Sequence, residues 1–231
     1  MALIWPPSGD AYSYGDFSAF TAVQAHPPER ASVRRSDGSD RFVGVFHTEP
    51  DDVNRWGKPD SQRCEALVDH LLRGASQGEE CWFAWESLFT LESFAPEAHW
   101  NVFTQWHQHG GHGPPPWAVA VDTRTMQWKL QTKGGDELDA PTPTIPTLAG
   151  SYEPGWHAFL AFVSWGQDNG HTSLWVDGDL LFDLSTPLGF SPDAKGSVRN
   201  YLKQGIYGRR QSVPRDVVHA ALRIGDARED L

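Results

Sequence analysis

Eleven short runs of β-forming residues, cut apart by Gly, Pro, Asn and Asp, set the fold class of this chain. They cover residues 41–47, 61–68, 80–89, 101–108, 117–123, 126–132, 156–165, 172–178, 180–185, 199–208 and 217–225. Strands of this length at this spacing make an all-β sandwich or barrel. Helical periodicity is scarce, and only EALVDHLL (65–72) can be written as a helix. Several runs are apolar at consecutive positions, as strands are where two sheets pack on each other. The clearest unit is HTSLWVDGDLLFD (171–183), where Asp177-Gly178 between apolar runs marks a tight hairpin. The run before it, WHAFLAFVSWGQDNG (156–170), ends in a turn of its own, so the three strands form a meander. Gly134-Gly135, the loop GGHGPPP (110–116) and the proline cluster APTPTIPTLAG (140–150) read as loops within one domain that spans 1–231.

Composition narrows the function. A chain of 231 residues with 39% hydrophobic and 21% charged residues is long enough and apolar enough for a core without staples. The net charge of −11 argues against a general nucleic-acid binder. No run of about 18 apolar residues offers a membrane span. The start, MALIWPPSGDAYSYGD, shows no basic region followed by an apolar stretch and a cleavage site. Trp occurs 11 times, and most of these rings are expected in the core. Cys64 and Cys81 fall on two runs joined by a polar loop. A hairpin there would bring them opposite each other, as a disulfide or as two buried thiols.

The chemistry is carried by polar residues that interrupt apolar strands. In VFTQWHQH (102–109), Gln105, His107 and His109 alternate, which puts them on one strand face with Trp106 on the other. Arg63 and Glu65 alternate on a second run, and Tyr201, Lys203 and Tyr207 on a third. Each face alone reads as a solvated surface; three together suit the concave floor of a curved sheet. His107, His109 and the nearby His112 lack the further ligands that a zinc site needs. Glycoside hydrolysis needs two facing carboxylates, and Glu86 and Glu92 have no supporting context. No Gly-x-Ser-x-Gly elbow occurs. What remains is an amide, imidazoles, phenols and cations. β-Elimination from a uronic acid uses that set. A cation or amide holds charge as it builds on the sugar carboxylate, a base removes the proton alpha to it, and an acid protonates the departing oxygen.

Motifs in order along the chain extend this reading. They are Gly-Asp-Phe-Ser-Ala-Phe (15–20), Arg63-Cys64-Glu65, Gly78-Glu79-Glu80-Cys81-Trp82, Gln105-Trp106-His107 and Pro115-Pro116-Trp117. Trp156-His157-x-Phe159, Trp165, Gly170, Trp175-Val176-Asp177-Gly178, Tyr201-Leu202-Lys203-Gln204-Gly205-Ile206-Tyr207 and Arg223-Ile224-Gly225-Asp226 complete the series. In order and spacing the chain resembles the heparin lyase I-like polysaccharide lyases, the group that includes glucuronan lyases. The resemblance implies a concanavalin A-like β-jelly-roll of two antiparallel sheets, with 15–20 as its opening strand. It implies that Gln105, His107, Lys203 and Tyr207 carry catalysis. Gln105 would neutralise the uronate carboxylate, Lys203 would assist charge, and Tyr207 would be the acid, or acid and base. The catalytic histidine would be His107, His47 or His70. Arg63, His47, Tyr201, Arg209 and His109 would bind substrate. The chemistry needs no cofactor; a structural calcium is compatible with the family, with no ligands assigned.

The expected function is therefore a polysaccharide lyase that cleaves an acidic, uronate-containing polymer, with neither nucleic acid nor membrane as partner. Against so acidic a chain, polyanion binding falls to a local patch such as Lys203, Arg209, Arg210 and Arg215. The expected setting is extracellular or virion-associated, for example a tail-borne depolymerase attacking a capsule. The alternative is a non-catalytic carbohydrate-binding or virion adhesion module on the same fold.

Overall fold

Alternation along the strands decides what is buried. In ECWFAWESLF, residues Cys81, Phe83, Trp85, Ser87 and Phe89 are buried while their neighbours stay partly exposed. The computed structural model describes residues 3–71, 73–90, 93–94, 100–109, 113–136, 147–191 and 199–231. The strands are β1 (Leu3–Trp5), β2 (Ala22–Ala25), β3 (Ala31–Arg35), β4 (Phe42–Thr48), β5 (Ser61–Val68), β6 (Glu80–Phe89), β7 (Asn101–Gln108) and β8 (Trp117–Asp122). They continue as β9 (Gln127–Thr132), β10 (Gly134–Gly135), β11 (Thr147–Ser151), β12 (Gly155–Ser164), β13 (Gly166–Val176), β14 (Asp179–Phe190), β15 (Asn200–Arg209) and β16 (Arg215–Gly225). One sheet runs β10-β14-β13-β12-β6-β16-β4-β3, with β1 also on β16. The other runs β11-β9-β8-β7-β15-β5-β2. Pairing is antiparallel throughout the described strands except for the short β10–β14 pair. The fold is a jelly-roll sandwich.

Aromatic rings fill the space between the sheets. Trp85 stacks on Phe159 at 4.8 Å, Phe83 meets Trp117 edge-on at 5.1 Å, and Trp106 meets Trp165 at 5.6 Å. Burial of one such ring removes roughly 200 Å² from water and contributes about 5 kcal/mol. Trp5, Trp85, Trp106, Trp117, Trp128 and Trp165 are all buried, so core filling accounts for most of the tryptophans. The Asp177-Gly178 turn closes β13 on β14 with both residues at positive φ, 54° and 92°.

Three expectations are corrected. Residues 65–71 form no helix, because Ser61–Val68 is a strand buried along its whole length between neighbours, and Leu72 lies outside the described residues. β5 and β6 belong to different sheets, so Cys64 and Cys81 do not face each other across a hairpin; both are free thiols in the core. Residues 15–20 form turns rather than an opening strand. Phe17 and Phe20 fold inward there, against Tyr12 and Trp5. Most of the 140–150 cluster, and His112 and Glu92, lie outside the described residues. Residues 147–150 of that cluster belong to β11.

The two sheets are joined beneath β15 by a buried polar bond. Gly205 sits at φ 149°, where β15 carries one more residue than β7 between Gln204 and Tyr207. A Cβ there would collide with the Cys64 carbonyl and lie 2.8 Å from Glu65 Cα. His219 of β16 donates from Nε2 to the Gly205 carbonyl at 3.3 Å, and its Nδ1 accepts from Ser87 Oγ at 2.8 Å. Burial pushes this imidazole down to about 3, so it is neutral in the fold.

Two outcomes follow. Gly205→Ala should cost about 3 kcal/mol, read as a lower denaturation midpoint at unchanged slope. An unfolded imidazole titrates near 6.5, so below that pH the unfolded chain binds a proton that the fold refuses. Between pH 6.5 and 5, wild type should therefore lose about 2 kcal/mol more stability than His219→Gln. Equal pH slopes for the two proteins would contradict a neutral buried His219.

Candidate active site

The outer face of the seven-stranded sheet holds a cleft of about 760 Å³. β2 supplies Gln24 to it, β5 Arg63, β15 Tyr201, Lys203 and Tyr207, β7 Val102, Gln105 and His107, and β9 Gln131. Trp56, Gly57 and Lys58 wall it from the β4–β5 connection, and Gly113, Pro114 and Pro115 from the segment before β8. Small side chains keep the floor open: Ala118 and Ala120 of β8 pack with Val102, and Tyr207 rests on them.

Register explains which residues share this face. Lys203 is opposite Gln105, Tyr201 opposite His107, and Tyr207 opposite Arg63 on its other side. Strict alternation from Gln105 would put Phe103 in the cleft and Val102 in the core. A register shift between Val102 and Thr104 reverses that, sending Phe103 inward against Phe89 and Val102 outward.

One buried carboxylate organises the floor. Glu65 is fully buried. Its Oε1 accepts from Gln105 Nε2 at 2.5 Å, which fixes the amide's orientation, since a carboxylate only accepts. Glu65 Oε2 lies 3.3 Å from Arg63 Nε and 3.9 Å from Lys203 Nζ. Neither Oε2 nor Nε makes an aligned hydrogen bond, so this contact is charge attraction. Lys203 Nζ donates to Gln24 Oε1 at 2.8 Å, and Arg63 Nη1 donates to the same oxygen at 3.0 Å. Burial pulls the Lys203 ammonium down to about 8; Glu65 opposes that shift and Arg63 adds to it. Burial, with help from Glu65, raises the Tyr201 phenol to about 12, so it stays protonated. The Arg63 guanidinium lies 4.0 Å from the centre of the Tyr207 ring, and Trp100 meets that ring edge-on at 4.8 Å. His107 lies 5.5 Å from Tyr201, with Nδ1 3.2 Å from the Gln108 carbonyl.

The structure thus brings together Gln105, His107, Lys203, Tyr207, Arg63 and Tyr201. Other expected residues lie elsewhere. His47 is on β4 of the opposite sheet, held by Asp216 at 2.9 Å and Glu49 at 3.0 Å, and does not reach the cleft. His70 bonds Thr21 outside it. His109 is exposed at the rim, 6.2 Å from Tyr201. Arg209 ends β15 opposite Ser61 and does not line the cleft. Arg210 bonds the Asp52 and Pro59 carbonyls. Arg215 is buried against Thr48, Gln62 and Asn101, so it is no part of a binding patch. The cations that line the cleft among the described residues are Lys58, Arg63 and Lys203. Gln24, Trp56, Lys58, Trp100 and Gln131 were not anticipated. Gln24 lies in a strand of four residues, too short for alternation to show, and Trp56 lies in an irregular loop. Among the described residues no three His, Cys, Asp or Glu side chains converge to hold a metal.

A family model described as polysaccharide lyase matches residues 12–221. The chain belongs to the polysaccharide lyases. Solved structures agree with the lyase in fold. A family 7 alginate lyase bound to product superposes with a TM-score of 0.57 at 12% identity, over 85% of this chain and 83% of its own. An alginate lyase from Pseudomonas aeruginosa gives 0.54 at 17% identity, over 83% and 87%. The catalytic domain of a glycoside hydrolase family 131 protein from Coprinopsis cinerea gives 0.61 at 10% identity, over 99% and 96%. No curated protein sequence matches the lyase. A fold shared with a hydrolase leaves the chemistry to the site. No Asp or Glu is among the described residues lining the cleft, and Glu86 lies in the opposite sheet, paired with Arg41. The two facing carboxylates of glycoside hydrolysis are therefore not found among the described residues.

Lys203 shows the cost of this site. Its ammonium is disfavoured by burial, and that penalty is in force at pH 7, below its value of about 8. It is relieved as pH rises from there toward the ordinary lysine range, where the unfolded chain still holds the proton. Lys203→Met should accordingly unfold at the same or a higher urea concentration at pH 7 while losing activity. A loss beyond about 1 kcal/mol would mean that the ammonium is held for stability instead.

Proposed function

We propose that this lyase cleaves a uronic-acid polymer by β-elimination, with Gln105, Arg63 and Lys203 forming a socket for the sugar carboxylate. The observation that carries this reading is the charge count on the floor. Two cations, Arg63 and Lys203, share one buried anion, Glu65. One positive charge is left over, enough to neutralise one carboxylate and to hold charge as it builds in the enolate-like transition state. The Gln105 amide has a second N–H beyond the one given to Glu65.

His107 and Tyr207 flank the socket from opposite ends, with Lys203 between them on the sheet. In the proposed reaction His107 takes the proton from C5, alpha to the carboxylate. The C–H electron pair forms the C4–C5 double bond, the bond from C4 to the glycosidic oxygen breaks, and Tyr207 protonates that oxygen. An Nδ1–H given to the Gln108 carbonyl would leave the basic lone pair on Nε2. Tyr201, protonated and beside Lys203, serves in binding. Trp56, 41% exposed at the cleft wall, offers a ring on which a neighbouring sugar can stack.

A socket with one net charge suits a polymer with one carboxylate per sugar. This favours a glucuronan- or alginate-like chain, as the likeness to glucuronan lyases suggests, over a densely sulfated one. Such polymers act outside cells, which fits a secreted or virion-borne enzyme.

The test is an ultraviolet assay for the unsaturated uronate product on a panel of glucuronan, polymannuronate, polyguluronate and heparin. Absorbance should rise on an unsulfated polymer, and Tyr207→Phe and Gln105→Ala should each lower the rate by roughly 10²-fold or more. A flat trace across the panel with sugar binding retained would identify a binding module instead.

A further inference from the structure

Resting on that reading of the cleft, we propose that Gln24 is a positioning residue that gathers Arg63 and Lys203 into a single carboxylate socket. Gln24 stands on β2, the edge strand, directly opposite Glu65. It lines the cleft, and both cations of the floor donate to its one amide oxygen, at 2.8 and 3.0 Å.

Two cations converging on one point repel each other, so something must hold them. An amide oxygen has two lone pairs and no net charge. It can accept from both without neutralising either. A carboxylate at the same place would hold them more tightly but would bring the floor to two positive and two negative charges. Nothing would then be left for a uronate. Glu65, on the neighbouring strand, already supplies the single anion that the arrangement tolerates. Gln24 therefore aligns the donors and preserves their charge for substrate.

Among the described residues, the charged and titratable groups around Lys203 are few enough to make a pH test readable. Arg63 and Glu65 face it from β5, Tyr201 and Tyr207 from its own strand, and His107 from β7, while β2 contributes only the neutral Gln24. Lys203 must be protonated to bind a carboxylate, so activity should fall as pH rises through about 8.

Two variants move that alkaline limb in opposite directions. Gln24→Glu places an anion beside Lys203 and should move the limb up by about one pH unit or more. It should also raise KM at least tenfold, because the socket loses its net charge. Gln24→Leu removes the acceptor and should move the limb down, with KM raised roughly tenfold, the factor carried by one charge-assisted hydrogen bond. In both, KM should change more than kcat. A merely structural Gln24 would lower activity in both variants without opposite pH shifts, and that result would overturn the proposal. A substrate-free readout separates this from the lyase reading: the pH dependence of Lys203 acetylation by acetic anhydride, followed by peptide mass analysis. Opposite shifts in acetylation with no activity on any polymer would keep the socket and reject the lyase assignment to uronates. An active wild type with unmoved limbs and unmoved acetylation profiles would keep the lyase and reject the role of Gln24.

Discussion

A single buried negative charge holds the cleft together. An isolated carboxylate shut away from water is too costly to keep unless its oxygens are matched. Glu65 meets that demand with the Gln105 amide and the Arg63 guanidinium, and the Lys203 ammonium lies 3.9 Å away although burial disfavours it. Those are the groups that the proposed uronate substrate would use. The same contacts that make Glu65 tolerable inside the sheet thus orient the side chains pointing out of it. The excess of one cation over the anion leaves the floor positive in a chain of net charge −11. Local charge, not the total, decides which polymer can approach.

The backbone under this cluster is irregular beside the proposed site. β15 carries an extra residue beside β7 next to Gly205, and β7 carries one beside β8 next to Phe103. Both irregularities lie between the Lys203–Gln105 pair and Tyr207. The first is anchored from the other sheet by neutral His219; the second turns Phe103 into the core and frees Val102 for the floor. Bulges recur beside active sites because they re-aim side chains that alternation would send elsewhere. Here they let one sheet serve as core wall on one face and cleft floor on the other.

Much of the fold was legible because its signals are local. Ser61–Val68, Glu80–Phe89 and Asn101–Gln108 begin and end where their residue types and flanking turns say they should. The Asp177-Gly178 hairpin followed from turn chemistry alone. Strands too short or too mixed to alternate, such as AVQA at Ala22–Ala25, left no such trace. Neighbourhood in sequence also misled. The loop between β5 and β6 looked like a hairpin, yet it crosses from one sheet to the other and separates Cys64 from Cys81. Arg215 looked like a surface cation and proved to be a buried hydrogen-bonding hub.

The same division runs through the site. The sequence by itself determined that polar groups of the right kinds lie on Arg63-Cys64-Glu65, Gln105-Trp106-His107 and the Tyr201–Tyr207 segment, because period-two alternation is a property of a strand alone. It put His107 among the catalytic residues but left His47 and His70 open beside it, since side-chain type carries no address. Only the tertiary structure separated them, by placing β4 in the opposite sheet and His107 beside Tyr201. Only it brought Gln24 onto Arg63 and Lys203, across 39 and 179 positions of chain. Contacts at such separations depend on strand order and register, which are settled by how two whole sheets pack, and no local pattern encodes them.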